Sequence, residues 1–116
     1  MGEFWAKMFL MKHDFVIISQ NYYCRYGELD LVALKQNIIH FVEVKSVSRE
    51  TFFNFSDYHF VGENFDHRKL NKIKKTILFF TKEKNLNNYN YQIDLICVTF
   101  IKGQKIPILN YNKNII

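Results

Sequence analysis

The sequence from residue 27 to residue 45 places charged residues inside two apolar segments that are otherwise typical of β-strands. Glu28 and Asp30 interrupt the first segment, whereas Glu43 and Lys45 interrupt the second. Because alternate side chains of a strand point to opposite faces, Glu28 and Asp30 share one face of the first strand. By the same rule, Glu43 and Lys45 share one face of the second. Carboxylates beside a lysine are side chains that metal-assisted phosphodiester hydrolysis can use.

The register of these two strands decides whether the charges meet. With Gln36 and Asn37 as the two loop residues, Asp30 lies opposite Glu43, and the other two charged residues also face each other. Directly opposed side chains have Cβ atoms about 5 Å apart, so two carboxylates repel there unless a cation lies between them. We therefore predict that Asp30 and Glu43 bind Mg²⁺ or Mn²⁺, with the backbone carbonyl of Val44 as a further ligand.

Lys45 lies beside the predicted metal site and could hold or activate a water molecule near a phosphate. The competing interpretation is a surface ion pair between Glu28 and Lys45, because Glu-x-Lys is a common pattern in strands. That interpretation does not account for an opposed acidic pair, so the facing Asp30 and Glu43 favour the metal site.

The composition is that of a globular protein and excludes a disordered chain. The chain has 116 residues, of which 48% are hydrophobic and 23% charged, so we expect a single domain over residues 1–116. A net charge of +5 has two interpretations, which the charge alone favours equally. It indicates either an anionic partner such as nucleic acid or a contribution to solubility only. Glu3 and Lys7 interrupt the N-terminal segment, which argues against a signal peptide or a membrane span. Two distant cysteines fit the reducing cytoplasm.

The elements that would position these residues follow from hydrophobic periodicity and turn residues. We predict helices over residues 3–12 and 67–84, and strands over residues 15–20, 28–35, 38–45, 91–101 and 105–110. The order α-β-β-β-α-β-β indicates an α/β fold in which helices flank a mixed sheet. In the first helix, Phe4, Met8 and Met11 form the predicted apolar stripe, with Trp5 and Phe9 beside it.

The second predicted helix is strongly basic. It carries seven of the sixteen basic residues and one acidic residue, Glu83. Like charges this close repel within a helix, so contact with phosphates is favoured over a merely solvated face. The predicted nucleic-acid-binding residues are Arg68, Lys69, Lys72 and Lys75. The predicted apolar stripe consists of Leu70, Ile73, Ile77 and Phe80, and Asp66 is the candidate N-cap.

Other features allow more than one interpretation. Six aromatic residues between positions 52 and 65 could stack on unpaired bases, although covering the sheet or forming a dimer interface is favoured. His40 points away from the acidic residues and is interpreted as structural. Asp94 either supports the site or pairs with a basic residue.

The same residues resemble the YraN family of bacterial proteins, within the PD-(D/E)XK nuclease superfamily and similar to archaeal Holliday junction resolvases. The resemblance rests on GELDLVAL and FVEVK, with twelve residues between Asp30 and Glu43, and extends to GEFWAKMFL, ISQN, KLNKIKKTILFF and YQIDLICV. It implies a restriction-endonuclease-like fold, Asp30 and Glu43 as metal ligands, and Lys45 as the catalytic lysine. It also implies that Glu3 is the first-helix acid that completes the site. Val47 departs from the pattern, since the family often has arginine there.

Together these residues predict a metal-dependent endonuclease that acts on DNA in repair or recombination. The alternative is a non-catalytic nucleic-acid-binding module that keeps the fold and the basic helix. Costly charges at Asp30, Glu43 and Lys45 favour the enzyme, since a binding module would not need them. A protein-interaction subunit is a third, weaker interpretation, and a homodimer would suit cleavage of two strands.

Overall fold

Five strands form one sheet in the computed structural model, which describes residues 1–49 and 67–115. The elements in chain order are α1 (Gly2–Lys12), β1 (Val16–Cys24), β2 (Gly27–Lys35), β3 (Ile38–Arg49), α2 (His67–Glu83), β4 (Asn90–Ile101) and β5 (Ile108–Asn112). The strands lie in the order β1-β2-β3-β4-β5. β3 and β4 are parallel, whereas all other neighbours are antiparallel. The predicted α/β fold with a mixed sheet is confirmed.

Several strand boundaries differ from the predicted ones. β1 continues beyond residue 20 to Cys24, and β5 begins at Ile108 rather than at residue 105. β3 continues beyond Lys45 to Arg49, because β4 offers it a parallel partner along this whole length. Hydrogen bonds to a strand that is distant in the sequence leave no local signal. The candidate N-cap Asp66 and the aromatic segment lie outside the described residues.

The hairpin between β2 and β3 has the predicted loop. Gln36 and Asn37 adopt left-handed backbone conformations, with φ of 50° and 64°. Positive φ at both loop residues is the signature of the type I′ turn that twists two antiparallel strands correctly. The recorded pairs run from Lys35–Ile38 to Leu31–Val42 in the predicted register.

The sheet separates two apolar cores. On one face, Ala6 and Leu10 of α1 pack against strand residues that include Leu31 and Val42. On the other face, the predicted stripe of α2 is confirmed. Its buried members are Ile73, Ile77 and Phe80, and Leu70 packs beside them. In the described part of the chain, no helix is both long enough and apolar enough to cross a membrane.

The predicted apolar stripe of α1 is wrong as a packing surface. Phe4, Met8 and Met11 are 59%, 50% and 52% exposed. The buried residues of α1 are Gly2, Ala6 and Leu10. A Cβ atom added to Gly2 would collide with the side chain of Ser46 on β3. The helix therefore approaches the sheet closely at its first turn, which only a face of small residues allows.

Asp94 is a fully buried acceptor on β4 that joins several elements. Its carboxylate accepts hydrogen bonds from the side chains of Gln92 and Tyr111 and from the backbone N–H of Asn114. His40 Nδ1 lies 2.7 Å from Asp94 Oδ2. Burial alone would raise the pKa of Asp94, but these hydrogen bonds outweigh burial and lower it below its ordinary value. Asp94 therefore ties β3, β5 and the following residues to β4, and His40 is structural as predicted.

Asp94→Ala should destabilise the protein by about 3 kcal/mol, because several buried donors lose their acceptor together. Tyr111→Phe removes one of those hydrogen bonds and should cost about 1 kcal/mol. Urea unfolding of both variants and of the double mutant checks this, and the double mutant should cost less than the sum. An Asp94→Ala variant no less stable than Tyr111→Phe would contradict the assignment.

Candidate active site

The regular alternation of β2 breaks at Asp30. Leu29 and Val32 pack in the same core, although residues three positions apart in a regular strand point to opposite faces. The alternation of side chains between the two faces is therefore interrupted between them. On the neighbouring strand β1, Asn21 has a left-handed backbone with φ of 53°. The recorded pairing of β1 with β2 skips Asn21 and Asp30. Both strands are therefore irregular at the level of the predicted metal ligand.

The ladder between β2 and β3 also changes at this level. The predicted register continues to the pair Leu31–Val42 and ends one pair short of Asp30 and Glu43. Beyond it, the backbone N–H of Val44 donates to Asp30 Oδ2 at 2.9 Å. A side-chain carboxylate thus takes the place that a backbone carbonyl occupies in a regular ladder. This bond fixes the Asp30 carboxylate against β3.

Glu43 and Asp30 come together through their side chains. Burial, the hydrogen bond with Asp30 and the charge of Asp30, in this order of size, together raise the pKa of Glu43 to about 9. Glu28 raises this pKa further, whereas Lys69 lowers it. In the absence of a cation, burial and the neighbouring acidic charges therefore favour the protonated form of Glu43.

A pocket of about 290 Å³ opens between this carboxyl pair and α2. Its lining includes six of the predicted site residues, which are Asp30, Glu43, Val44, Lys45, Lys69 and Lys72. Residues from two neighbouring strands and a helix distant in the sequence thus meet in one place. Arg68 and Lys75 are exposed on α2 but are not part of this lining.

Glu3 lies on α1 and interacts electrostatically with Asp30 and Glu28. Burial raises the pKa of Glu3, and the negative charges of Asp30 and Glu28 raise it further, against the opposing effect of the N-terminus. Its Oε1 atom is buried, and no group within the described residues donates a hydrogen bond to it. The structure therefore places Glu3 close enough to sense Asp30, although it does not line the pocket.

The donor set suits an open magnesium site. In the described ranges, no three side chains of His, Cys, Asp or Glu gather closely enough to enclose a metal by themselves. Mg²⁺ is commonly bound by one or two carboxylates, with water and substrate phosphate completing its shell. A divalent cation would balance the negative charge of Asp30 and Glu43, and within the described residues no donor meets the nearby Glu3 Oε1. The residues present therefore fit Mg²⁺ or Mn²⁺.

Sequence reasoning missed residues that shape the pocket. Gly27 and Thr76 line it, and Gly27 has φ of 154°. A Cβ atom on Gly27 would lie 3.0 Å from Thr76 Oγ1, so glycine here lets α2 approach β2. Glu28 lines the pocket and acts on Glu43, although we assigned it no role. The signal in the sequence that indicates a role for Glu28 is its position two residues before Asp30, on the same face of the predicted strand.

The fold and the site define a small α/β protein with a restriction-endonuclease-like mixed sheet and a carboxyl pair between two of its strands. The model of the family described as Uncharacterised protein family UPF0102 matches residues 2–98, and the chain belongs to this family. The predicted membership of the YraN family, which is this family, is confirmed.

Relatives from related bacteria match most of the chain. A UPF0102 protein of Campylobacter jejuni is 41% identical over 98 residues, which cover 84% of this chain and 80% of the relative. A UPF0102 protein of Campylobacter lari is also 41% identical, with coverage of 84% and 79%. One from Sulfurimonas denitrificans is 37% identical over 94 residues, with coverage of 81% and 78%. The family is described as uncharacterised, so membership assigns no activity.

Glu43→Gln should flatten the dependence of thermal stability on pH in the presence of a chelator. The pKa of Glu43 is raised from 4.5 to about 9 by folding, so the folded state holds an extra proton between these values. The free energy of unfolding of the wild type should therefore fall as pH rises from about 5 to 9. Glutamine cannot titrate, so the melting temperature of the variant should vary by several degrees less.

Thermal unfolding in EDTA at constant ionic strength measures this difference. Asp14→Asn serves as the control, because Asp14 is exposed and lies at the end of α1. The control should keep the slope of the wild type. A variant Glu43→Gln with the same slope as the wild type would show that Glu43 does not carry the extra proton.

Proposed function

We propose that this protein is a metal-dependent endonuclease that hydrolyses phosphodiester bonds in DNA. The observation that carries the proposal is the pocket in which the carboxyl pair of Asp30 and Glu43 faces Lys69 and Lys72 of α2. Acidic groups for a cation and basic groups for a phosphate thus line one cavity. These are complementary parts of a site for phosphoryl chemistry.

In this mechanism the carboxylates of Asp30 and Glu43 and the carbonyl of Val44 would hold Mg²⁺ or Mn²⁺. When bound, the cation supplies Lewis-acid stabilisation of charge on the phosphate and favours ionisation of water. The N–H of Val44 keeps the Asp30 carboxylate in place, since it donates to Oδ2. Glu3, with its unpartnered oxygen, adds negative charge near Asp30.

Lys45 positions the attacking water in this proposal. Its side chain is exposed at the pocket, two residues beyond Glu43 on the same strand. An ammonium group donates hydrogen bonds and can hold a water molecule in line with the scissile bond. The water oxygen forms the new bond to phosphorus and gives up a proton to solvent. The bridging oxygen leaves with the electron pair of the broken P–O bond and takes up a proton from solvent.

Calorimetric titration with Mg²⁺ or Mn²⁺ separates the metal ligands from Lys45. Asp30→Asn should lose metal binding and DNA cleavage together, because it removes a ligand charge. Lys45→Ala should retain metal binding and most of its DNA affinity but lose cleavage by at least about 100-fold, which is the usual contribution of a positioned proton-transfer or water-orienting group. Lys102→Ala is the matched control, since Lys102 is an exposed lysine outside this pocket. It should cleave like the wild type.

Two results would count against the enzyme. If Asp30→Asn binds metal as the wild type does, the carboxyl pair is not the metal site. If the wild type binds branched, nicked and single-stranded DNA but cuts none of them with either metal, the chain is a non-catalytic nucleic-acid-binding module. That second function is favoured by one observation, which is that a hydrogen bond already joins the side chains of Asp30 and Glu43 without a cation.

The basic face of α2 should make DNA affinity depend steeply on salt. Replacing both Lys69 and Lys72 with alanine removes two phosphate contacts, so the slope of log affinity against log salt should decrease by about 2. The paired control replaces Arg68 and Lys75, which lie on the same helix outside the pocket. It makes the same charge change and should weaken binding to a smaller degree without affecting cleavage at saturating DNA. Equal effects of both pairs would show that attraction by α2 is not directed at the pocket.

A further inference from the structure

A second groove lies along the C-terminal half of α2 and the start of β4. It has a volume of about 490 Å³, and its lining includes Lys74, Leu78 and Lys82 of α2 together with Tyr89 and Tyr91. Tyr89 is 39% exposed and Tyr91 is 47% exposed. None of these residues belongs to the carboxyl site.

We propose that this groove binds an unpaired single-stranded segment of the nucleic acid whose phosphates contact α2. The inference rests on the proposed nucleic-acid binding, and it adds the class of substrate. A duplex that carries an unpaired tail or flap would occupy both sides of α2 at once. The carboxyl pocket would take the phosphate to be cleaved, and the groove would take the tail.

The position of the groove on α2 supports this division. An α-helix turns by about 100° per residue, so Lys74 lies about 200° around the helix from Lys72. Lys74, Leu78 and Lys82 follow one another at intervals of four residues and form a stripe on that flank. The carboxyl pocket and the groove thus lie on opposite flanks of one helix, which is about 10 Å wide.

The charge of the groove suits an anionic chain. Two lysines line it, and its lining in the described part of the chain contains no acidic residue. The acidic residue of α2, Glu83, is already engaged by the hydroxyl of Tyr22 at 3.2 Å and by Lys84 at 3.8 Å. Lys74 and Lys82 can therefore act on phosphates without a competing carboxylate in the groove.

The tyrosines identify the occupant as unpaired bases. Bases of a duplex are stacked on one another, whereas unpaired bases are free to stack on aromatic side chains. The ring of Tyr91 contacts Phe41 edge-to-face, with the centroids 5.5 Å apart. Phe41 is itself buried, so this contact orients the Tyr91 ring while nearly half of the residue stays exposed. An exposed ring held in place is what base stacking requires.

Binding of two fluorescent DNAs tests the groove. One is a blunt duplex, and the other is the same duplex with an unpaired oligothymidine tail, both measured by anisotropy in EDTA. The tail should tighten binding to the wild type by about fivefold or more. Tyr89→Ala, Tyr91→Ala and the double variant Lys74→Gln with Lys82→Gln should each reduce that gain. The tyrosine variants should leave blunt-duplex affinity nearly unchanged, whereas the lysine pair should weaken it only to the small degree expected for two charges outside the pocket.

Two control variants should retain the gain in affinity that the tail provides. Tyr89→Phe preserves the ring and should retain the gain from the tail. Lys105→Gln removes one positive charge beyond the far end of β4 and should also retain it. If Tyr91→Ala unfolds because the Phe41 contact is lost, Tyr89→Ala and the lysine pair still decide the outcome. A tail containing 5-iodouracil should cross-link to Tyr89 or Tyr91 under light.

Different results overturn different proposals. Equal affinity of the wild type for blunt and tailed duplexes overturns the groove and leaves the proposed nuclease standing. A gain from the tail that survives Tyr89→Ala and the lysine pair also overturns it, as do cross-links that avoid both tyrosines. If the wild type binds neither DNA, the groove and the proposed function are both overturned.

Discussion

Two carboxyl groups in contact cannot both carry a full charge in a half-buried place unless a proton or a cation lies between them. Asp30 and Glu43 are in this situation, and the surrounding structure holds them there. The kink in β2 turns the Asp30 side chain towards β3, where the backbone N–H of Val44 donates a hydrogen bond to its carboxylate. The backbone of β3 therefore helps to hold the Asp30 carboxylate beside Glu43.

The two helices pack on opposite faces of the sheet, and each brings charged side chains towards the site. α1 approaches the sheet closely at Gly2 and brings the charge of Glu3 near Asp30. α2 approaches β2 closely at Gly27 and brings Lys69 and Lys72 to the pocket. Acidic charge accumulates on one side and basic charge on the other, with the pocket between them. Such an arrangement costs folding stability and is expected where a ligand supplies the missing charge.

The stability that offsets this cost comes from elsewhere in the sheet. The parallel pairing of β3 with β4 continues along both strands and past the level of the site, where the pairing of β3 with β2 has ended. On β4, Asp94 accepts hydrogen bonds from Tyr111 of β5 and from the N–H of Asn114, and it also contacts His40 of β3. The well-paired strands β3 and β4 thus stabilise the sheet next to the irregular part of β2. α2 can then present basic side chains on both of its flanks.

Much of this molecule follows from its sequence, because the signals are local. Alternating and helical periodicity predicts the order of elements, and the residues Gln36 and Asn37 predict the turn and hence the register that brings Asp30 towards Glu43. The helical stripe of Ile73, Ile77 and Phe80 predicts which face of α2 is buried. Only the tertiary structure decided the kink at Asp30, because it depends on β1 and β3 at once. The same is true of the buried face of α1, since hydrophobicity favours the larger side chains whereas close packing on β3 selects the smaller ones. Contacts between distant segments leave no periodic trace in the chain, and the pocket and the second groove are both made of such contacts.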